Sequence, residues 1–161
     1  MSLFASDQYR WRETYSVLFC QADRPSARQL RHALEGLGEG YRVSDVTADA
    51  SGHVEAMTVL APADFAGMDL SYVSGEEVQE QIETLQAERK QKTLSKKEQA
   101  KLQRLAECDA RFDIFHFQQV VGDETDDEDE YMDPGSLITV LKCLAQLCHG
   151  VGIDPQTGAL M

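Results

Sequence analysis

No stretch of this sequence is apolar for long enough to cross a bilayer. The most apolar helix-patterned segment, Leu137–Cys148, is interrupted by Thr139, Lys142 and Gln146, and it falls well short of the ~20 residues a spanning helix needs. The opening Met1–Tyr15 is polar and mixed, without a basic start and an apolar run behind it, so no export signal is read there. Cysteine is sparse. Cys20, Cys108, Cys143 and Cys148 include no CxxC pair, and a cytoplasmic protein with reduced, mostly buried thiols is the expectation. Cys143 and Cys148 lie five apart on a helical pattern, about 140° around the axis, so they do not converge on one ligand.

Cations are also scarce. Lys and Arg number 15 against 28 Asp and Glu, a formal net charge of −13, which argues against nucleic acid as a partner because a basic face is its usual footprint. Aromatic and basic residues interleave most densely at Tyr9-Arg10-Trp11-Arg12, and nothing follows the aromatic RNA-stacking pattern of a sheet binder. The sequence has no GxSxG, HExxH, GxGxxG or phosphate-cradling glycine loop. No catalytic residue and no cofactor is assigned, and a membrane is excluded as a partner.

The strongest compositional feature present is acidic. Asp123, Glu124, Asp126, Asp127, Glu128, Asp129, Glu130 and Asp133 stand between Gly122 and Pro134 without one cation. Crowded like charges favour a solvated, mobile loop over 122–133. Carboxylates suit calcium or magnesium, and Asp123, Asp126, Asp127 and Asp129 are the candidate ligands. The run lacks the order and the turn glycine of an EF-hand loop, so a partner-facing role for Asp126, Asp127, Glu128, Asp129 and Glu130 is preferred.

The patterned segments organise around Ala110–Val121, where three phenylalanines and an isoleucine alternate with Asp113, His116 and two glutamines. That density of aromatic and β-branched residues predicts a central, largely covered strand. Upstream, Tyr9, Trp11, Tyr15, Val17 and Phe19 would share one face of an extended strand. Ala27, Leu30, Leu34 and Leu37 recur at helical spacing, with Gly38 and Gly40 as the stop. Tyr41–Ala48 and His53–Ala61 read as a hairpin around Asp49–Gly52. Met68–Val73 reads as a short edge strand. Ser74 and Glu77 fit a capping box for a helix with a narrow stripe of Val78, Ile82 and Leu85. Ser95 and Glu98 fit a second one, so Glu76–Arg104 is one broken helix or two. With its largely charged surface, this segment would project as an arm, and the stripe could pair with its own copy in a homodimer. Leu137, Val140, Leu141, Leu144 and Cys148 make a core-facing helix, ended by Gly150 in the left-handed conformation. A turn at Asp154–Gly158 predicts a short tail hairpin.

One α+β domain over 1–161 accounts for all of this. The order strand, helix, strand, strand, helix, strand is that of a ferredoxin-like split βαβ sandwich, with a C-terminal helix and tail hairpin added. Such a scaffold serves many functions. A non-catalytic module that binds or regulates another protein is the leading expectation. A small enzyme or small-molecule binder with a pocket near Cys20 and His116 is the first alternative, and an acidic antagonist of a basic partner the second.

Overall fold

The computed structural model describes residues 2–38, 40–89, 93–120, 135–154 and 157–160. Its strands are β1 (Tyr9–Phe19), β2 (Arg42–Ala48), β3 (Val54–Ala61), β4 (Ala66–Ser74), β5 (Ala110–Gln119) and β6 (Val151–Ile153); its helices are α1 (Ala27–Glu35), α2 (Glu76–Arg89), α3 (Lys96–Leu105) and α4 (Gly135–Cys148). The six strands form one sheet in the order β2-β3-β4-β5-β1-β6, and every neighbouring pair is antiparallel. The molecule is α+β, but the strand order is not ferredoxin-like. A split βαβ unit leaves one strand between the two that its first helix connects. Here β3, β4 and β5 all lie between β1 and β2, because β2 to β5 continue as a meander that closes against β1.

β4 decides this topology, and it is not at an edge. It pairs with β3 on one side and with β5 on the other. Its polar members Asp69 and Ser71 resemble those of an edge strand, but they alternate with buried Met68 and Leu70. Alternation of this kind marks a sheet with one wet face as readily as it marks an edge. β5, between β4 and β1, takes the central place its composition predicts.

One face carries the main core. Val17 and Phe19 of β1, Met57 and Val59 of β3, Met68 and Leu70 of β4, and Phe112 and Ile114 of β5 pack under Leu30 and Leu34 of α1 and Leu137, Val140, Leu141 and Leu144 of α4. Phe19 stacks on Phe112 at 5.1 Å between ring centroids. Ser26 caps α1 in a reciprocal box with Gln29, and the buried Ser136 of α4 donates a hydrogen bond to Asp64. Arg24 fixes the entry to α1. Its guanidinium donates to the Val54 carbonyl and to Asp49, and lies 3.7 Å over the Tyr72 ring.

Among the described residues, the opposite face is covered at its two ends. At one end Val78, Ile82 and Leu85 of α2 and Leu105 of α3 bury against Leu18, Val151 and Ile153. Glu76–Arg104 is therefore two helices folded onto the sheet and not a projecting arm, and the stripe expected to pair two copies is inside its own chain. Arg111 of β5 ties α2 down through Gln81 and Glu77. The Ser74–Glu77 box does not form: Ser74 is still paired in β4, opposite Ala110. Gly75, at φ 100°, turns the chain, and its carbonyl accepts from Val78 and Gln79.

At the other end a single 3-10 turn, Leu3–Ala5, lays Leu3 and Phe4 over Phe117 and Gly67. A β-bulge between Trp11 and Glu13 sends Tyr9 and Trp11 to this face while Tyr15, Val17 and Phe19 stay on the other. The five residues do not share a face, because the bulge resets the two-residue period. Gly67 leaves the space that the rings need, since a methyl group there would sit 2.8 Å from Leu3 and 3.0 Å from Tyr9.

α4 ends one residue earlier than its glycine suggests. His149 takes the left-handed conformation at φ 53°, and Gly150 donates to the Ala145 carbonyl in the manner of a Schellman stop. Glycine is needed next door for clearance: a Cβ on Gly150 would lie 2.4 Å from the Leu18 carbonyl oxygen. Past β6, Ile153 bridges Leu160, and Asp154 pairs with Ala159, which closes the tail as the turn residues predict.

Candidate functional site

Between the Leu3–Ala5 turn and the α2–α3 pair, no described element covers the second face of the sheet, and its side chains are those a solvated face selects. Thr58, Asp69 and Phe115 are cross-strand neighbours in one row, and Ala56, Ser71, Asp113 and Ser16 in the next. A groove of about 290 Å³ runs over this area, with Phe4 and Phe115 on one side, Asp45 and Thr47 on the other, and Ala56, Thr58, Asp69 and Ser71 along the floor. Phe4 and Phe115 meet edge to face at 5.4 Å, and Phe4 remains 59% exposed. Half-exposed aromatic rings beside hydroxyl and carboxylate groups can hold an apolar body by one end and a donor by the other.

Asp69 organises the groove. One carboxylate oxygen accepts from the Thr58 hydroxyl at 2.8 Å; the other accepts from the Ser2 hydroxyl at 2.7 Å and the Leu3 amide at 2.9 Å. The N-terminal turn that carries Phe4 is thus anchored to the middle of β4. In the neighbouring row Asp113 accepts from Ser16 at 2.9 Å and from Arg111 at 3.0 Å. On the far wall Asp45 sits at φ 50°, inside an irregularity of the β2–β3 register between Ser44 and Thr47. A non-glycine residue at positive φ is uncommon, and here it swings the edge strand beside the groove while blunting that edge against pairing.

Cys20 and His116 do not share a pocket. His116 is opposite Glu13 and Met68, whereas Cys20 follows Phe19, whose partner is Ala110, so seven strand positions, about 23 Å, separate the two. His116 is 1% exposed and faces the main core. Neither ring nitrogen has a hydrogen-bond partner among the described residues, with a Glu13 carboxylate oxygen 3.4 Å from Nδ1. Burial lowers the imidazole pKa below its ordinary value, Glu13 opposes that shift and Arg12 adds to it. Asp113 and His116 point to opposite faces, as their spacing requires.

Cys20 instead shares a small cavity of about 190 Å³ with Cys108 and His149. Burial pushes the Cys108 thiol up to about 11 and the Cys148 thiol up to about 12. The aromatic-basic tetrapeptide is split by the sheet: Trp11 lies on the open face and donates to Thr14, while Arg10 reaches the Gln118 side chain at 3.5 Å.

The acidic candidates Asp123, Asp126, Asp127, Glu128, Asp129 and Glu130 fall outside the described residues. Among the described residues, no three His, Cys, Asp or Glu side chains are grouped to hold a metal ion, and no helix is long and apolar enough to cross a membrane. The groove itself escapes sequence reading, because its floor comes from Ala56 and Thr58 of β3 with Asp69 and Ser71 of β4, and one wall from a turn more than fifty positions away. Comparison with protein-family models, with curated proteins and with solved structures gives no match for this chain.

Proposed function

We propose that this chain is a non-catalytic binding module that engages another protein through the open face of its sheet. The observation that carries the reading is the groove between Phe4, Phe115 and the β2 irregularity at Asp45. It combines exposed aromatic surface with hydroxyl groups on a rigid floor, and its carboxylate Asp69 is already committed to holding the groove together. Its three hydrogen bonds join β3, β4 and the Leu3–Ala5 turn, so the group serves the architecture of the groove, which favours recognition over catalysis. The net charge of −13 selects a basic partner. The run Asp126, Asp127, Glu128, Asp129 and Glu130 adds long-range attraction, and the groove receives a side chain at short range.

Filling the groove tests the reading. Ala56→Arg and Ser71→Trp place bulk on its floor without touching the main core. Both variants are expected to fold with wild-type thermal melts and to lose at least about tenfold in affinity for a partner captured by the wild-type chain, the scale of one displaced anchor side chain. Undiminished binding by both folded variants would remove the groove from the interface.

A further inference from the structure

We propose that Cys20 and Cys108 form a modification site for low-molecular-weight disulfides, in which Cys20 takes up one thiol and Cys108 then displaces it to leave a Cys20–Cys108 bond. Three observations place the sulfurs for this. Phe19 and Ala110 are the last paired residues where β1 leaves the sheet and β5 enters it, so both cysteines lie just beyond one cross-strand pair. Cys20 lies one residue and Cys108 two residues beyond that pair, so strand spacing puts their Cα atoms about 5–6.5 Å apart, inside the range of about 4.4–6.8 Å that disulfides span. The two segments are also clamped together past that pair, by the Asp109 amide on the Phe19 carbonyl at 3.1 Å and the Gln21 amide on the Asp109 carboxylate at 2.7 Å. Finally, both thiols line the same cavity of about 190 Å³, together with Arg104 and His149.

The accessibilities set the order of events. Cys20 is half-buried at the cavity, and Cys108 is 4% exposed behind it. The Cys20 thiolate attacks one sulfur of a disulfide R′SSR′. A protein–S–S–R′ bond forms, the S–S bond of the reagent breaks, and R′S⁻ leaves and takes up a proton. Cys108, once deprotonated, attacks the Cys20 sulfur and expels the second R′S⁻. The protein gives up two electrons and two protons, and R′SSR′ becomes two R′SH. Burial holds Cys108 up to about 11, while the Arg104 guanidinium pulls its pKa the other way. The closing step therefore draws on a small thiolate fraction and accelerates about tenfold per pH unit below that value.

The test is peptide mapping of the folded native chain after incubation with oxidised glutathione. The expected product has lost two hydrogens and carries a Cys20–Cys108 linked peptide, while Cys143 and Cys148 remain free thiols. Cys108→Ala is expected to stop at a single glutathione adduct on Cys20, and a thermal melt of the reduced variant checks that it folds. If that variant does not fold, the map of the native chain decides alone. Four free thiols, a persistent adduct on Cys20 in the native chain, or a bond to Cys143 or Cys148 would each overturn the proposal.

Discussion

Two residues, the buried His116 and the half-buried Gly150, carry consequences that can be measured directly. His116 is an imidazole in the core with both nitrogens unbonded among the described residues, and burial is the main cause of its lowered pKa. The folded protein therefore resists protonation that the unfolded chain accepts. Stability contributed by the neutral ring is complete above the ordinary value of 6.5 and is lost as pH falls through the lower folded value. The denaturation midpoint is expected to drop between about pH 7.5 and about pH 5.5 more steeply in the wild type than in His116→Met. Parallel profiles would show that other groups govern the acid limb. Gly150 makes the second case. A Cβ there meets the Leu18 carbonyl oxygen at 2.4 Å, and backbone cannot move aside as a side-chain tip can. Gly150→Ala is expected to cost about 2 kcal/mol in urea unfolding. A loss under about 0.5 kcal/mol would mean that the α4–β6 junction relaxes freely. The sequence marked Gly150 as special, but for its backbone freedom; the close approach of β1, far away in the chain, decided otherwise.

Among the elements, α2 separates pattern from context most clearly. Val78, Ile82 and Leu85 are spaced as a narrow stripe, and that much is visible in the residues. A stripe says that something covers it, not what. The structure supplies Leu105 from the neighbouring α3 and Leu18, Val151 and Ile153 from β1 and β6, two strands distant in sequence. Ile82→Ala, at 3% exposure, is expected to destabilise the fold by about 2–4 kcal/mol and to leave the elution volume in size-exclusion chromatography unchanged. A shift in subunit number without loss of stability would restore the stripe to an interface between copies. β4 has the same lesson in reverse. Its alternation of Met68 and Leu70 with Asp69 and Ser71 was legible, yet the same period fits an edge strand and an interior strand of a half-covered sheet. Only the pairing of both its edges distinguishes them.

For the molecule as a whole, the proposed binding role gives the charge excess a long-range part and the groove a short-range part, so the two are separable by salt. Association with a basic partner is expected to slow as ionic strength rises from about 0.05 M to about 0.5 M, with dissociation less affected. Replacing Asp126, Asp127, Glu128, Asp129 and Glu130 by Asn and Gln is expected to flatten that dependence. A salt-independent association rate in the wild type would detach the charge from recognition. The sequence by itself determined the α+β class, the helices and the main strands, the central place of β5 and the acidic balance, because periodicity, capping residues and composition act over a few neighbouring positions. Tertiary structure alone decided the strand order, the burial of α2, the separation of Cys20 from His116 and the groove over Asp69. Each of these depends on which distant segments become neighbours, and local patterns leave that choice open while the burial of a shared core makes it.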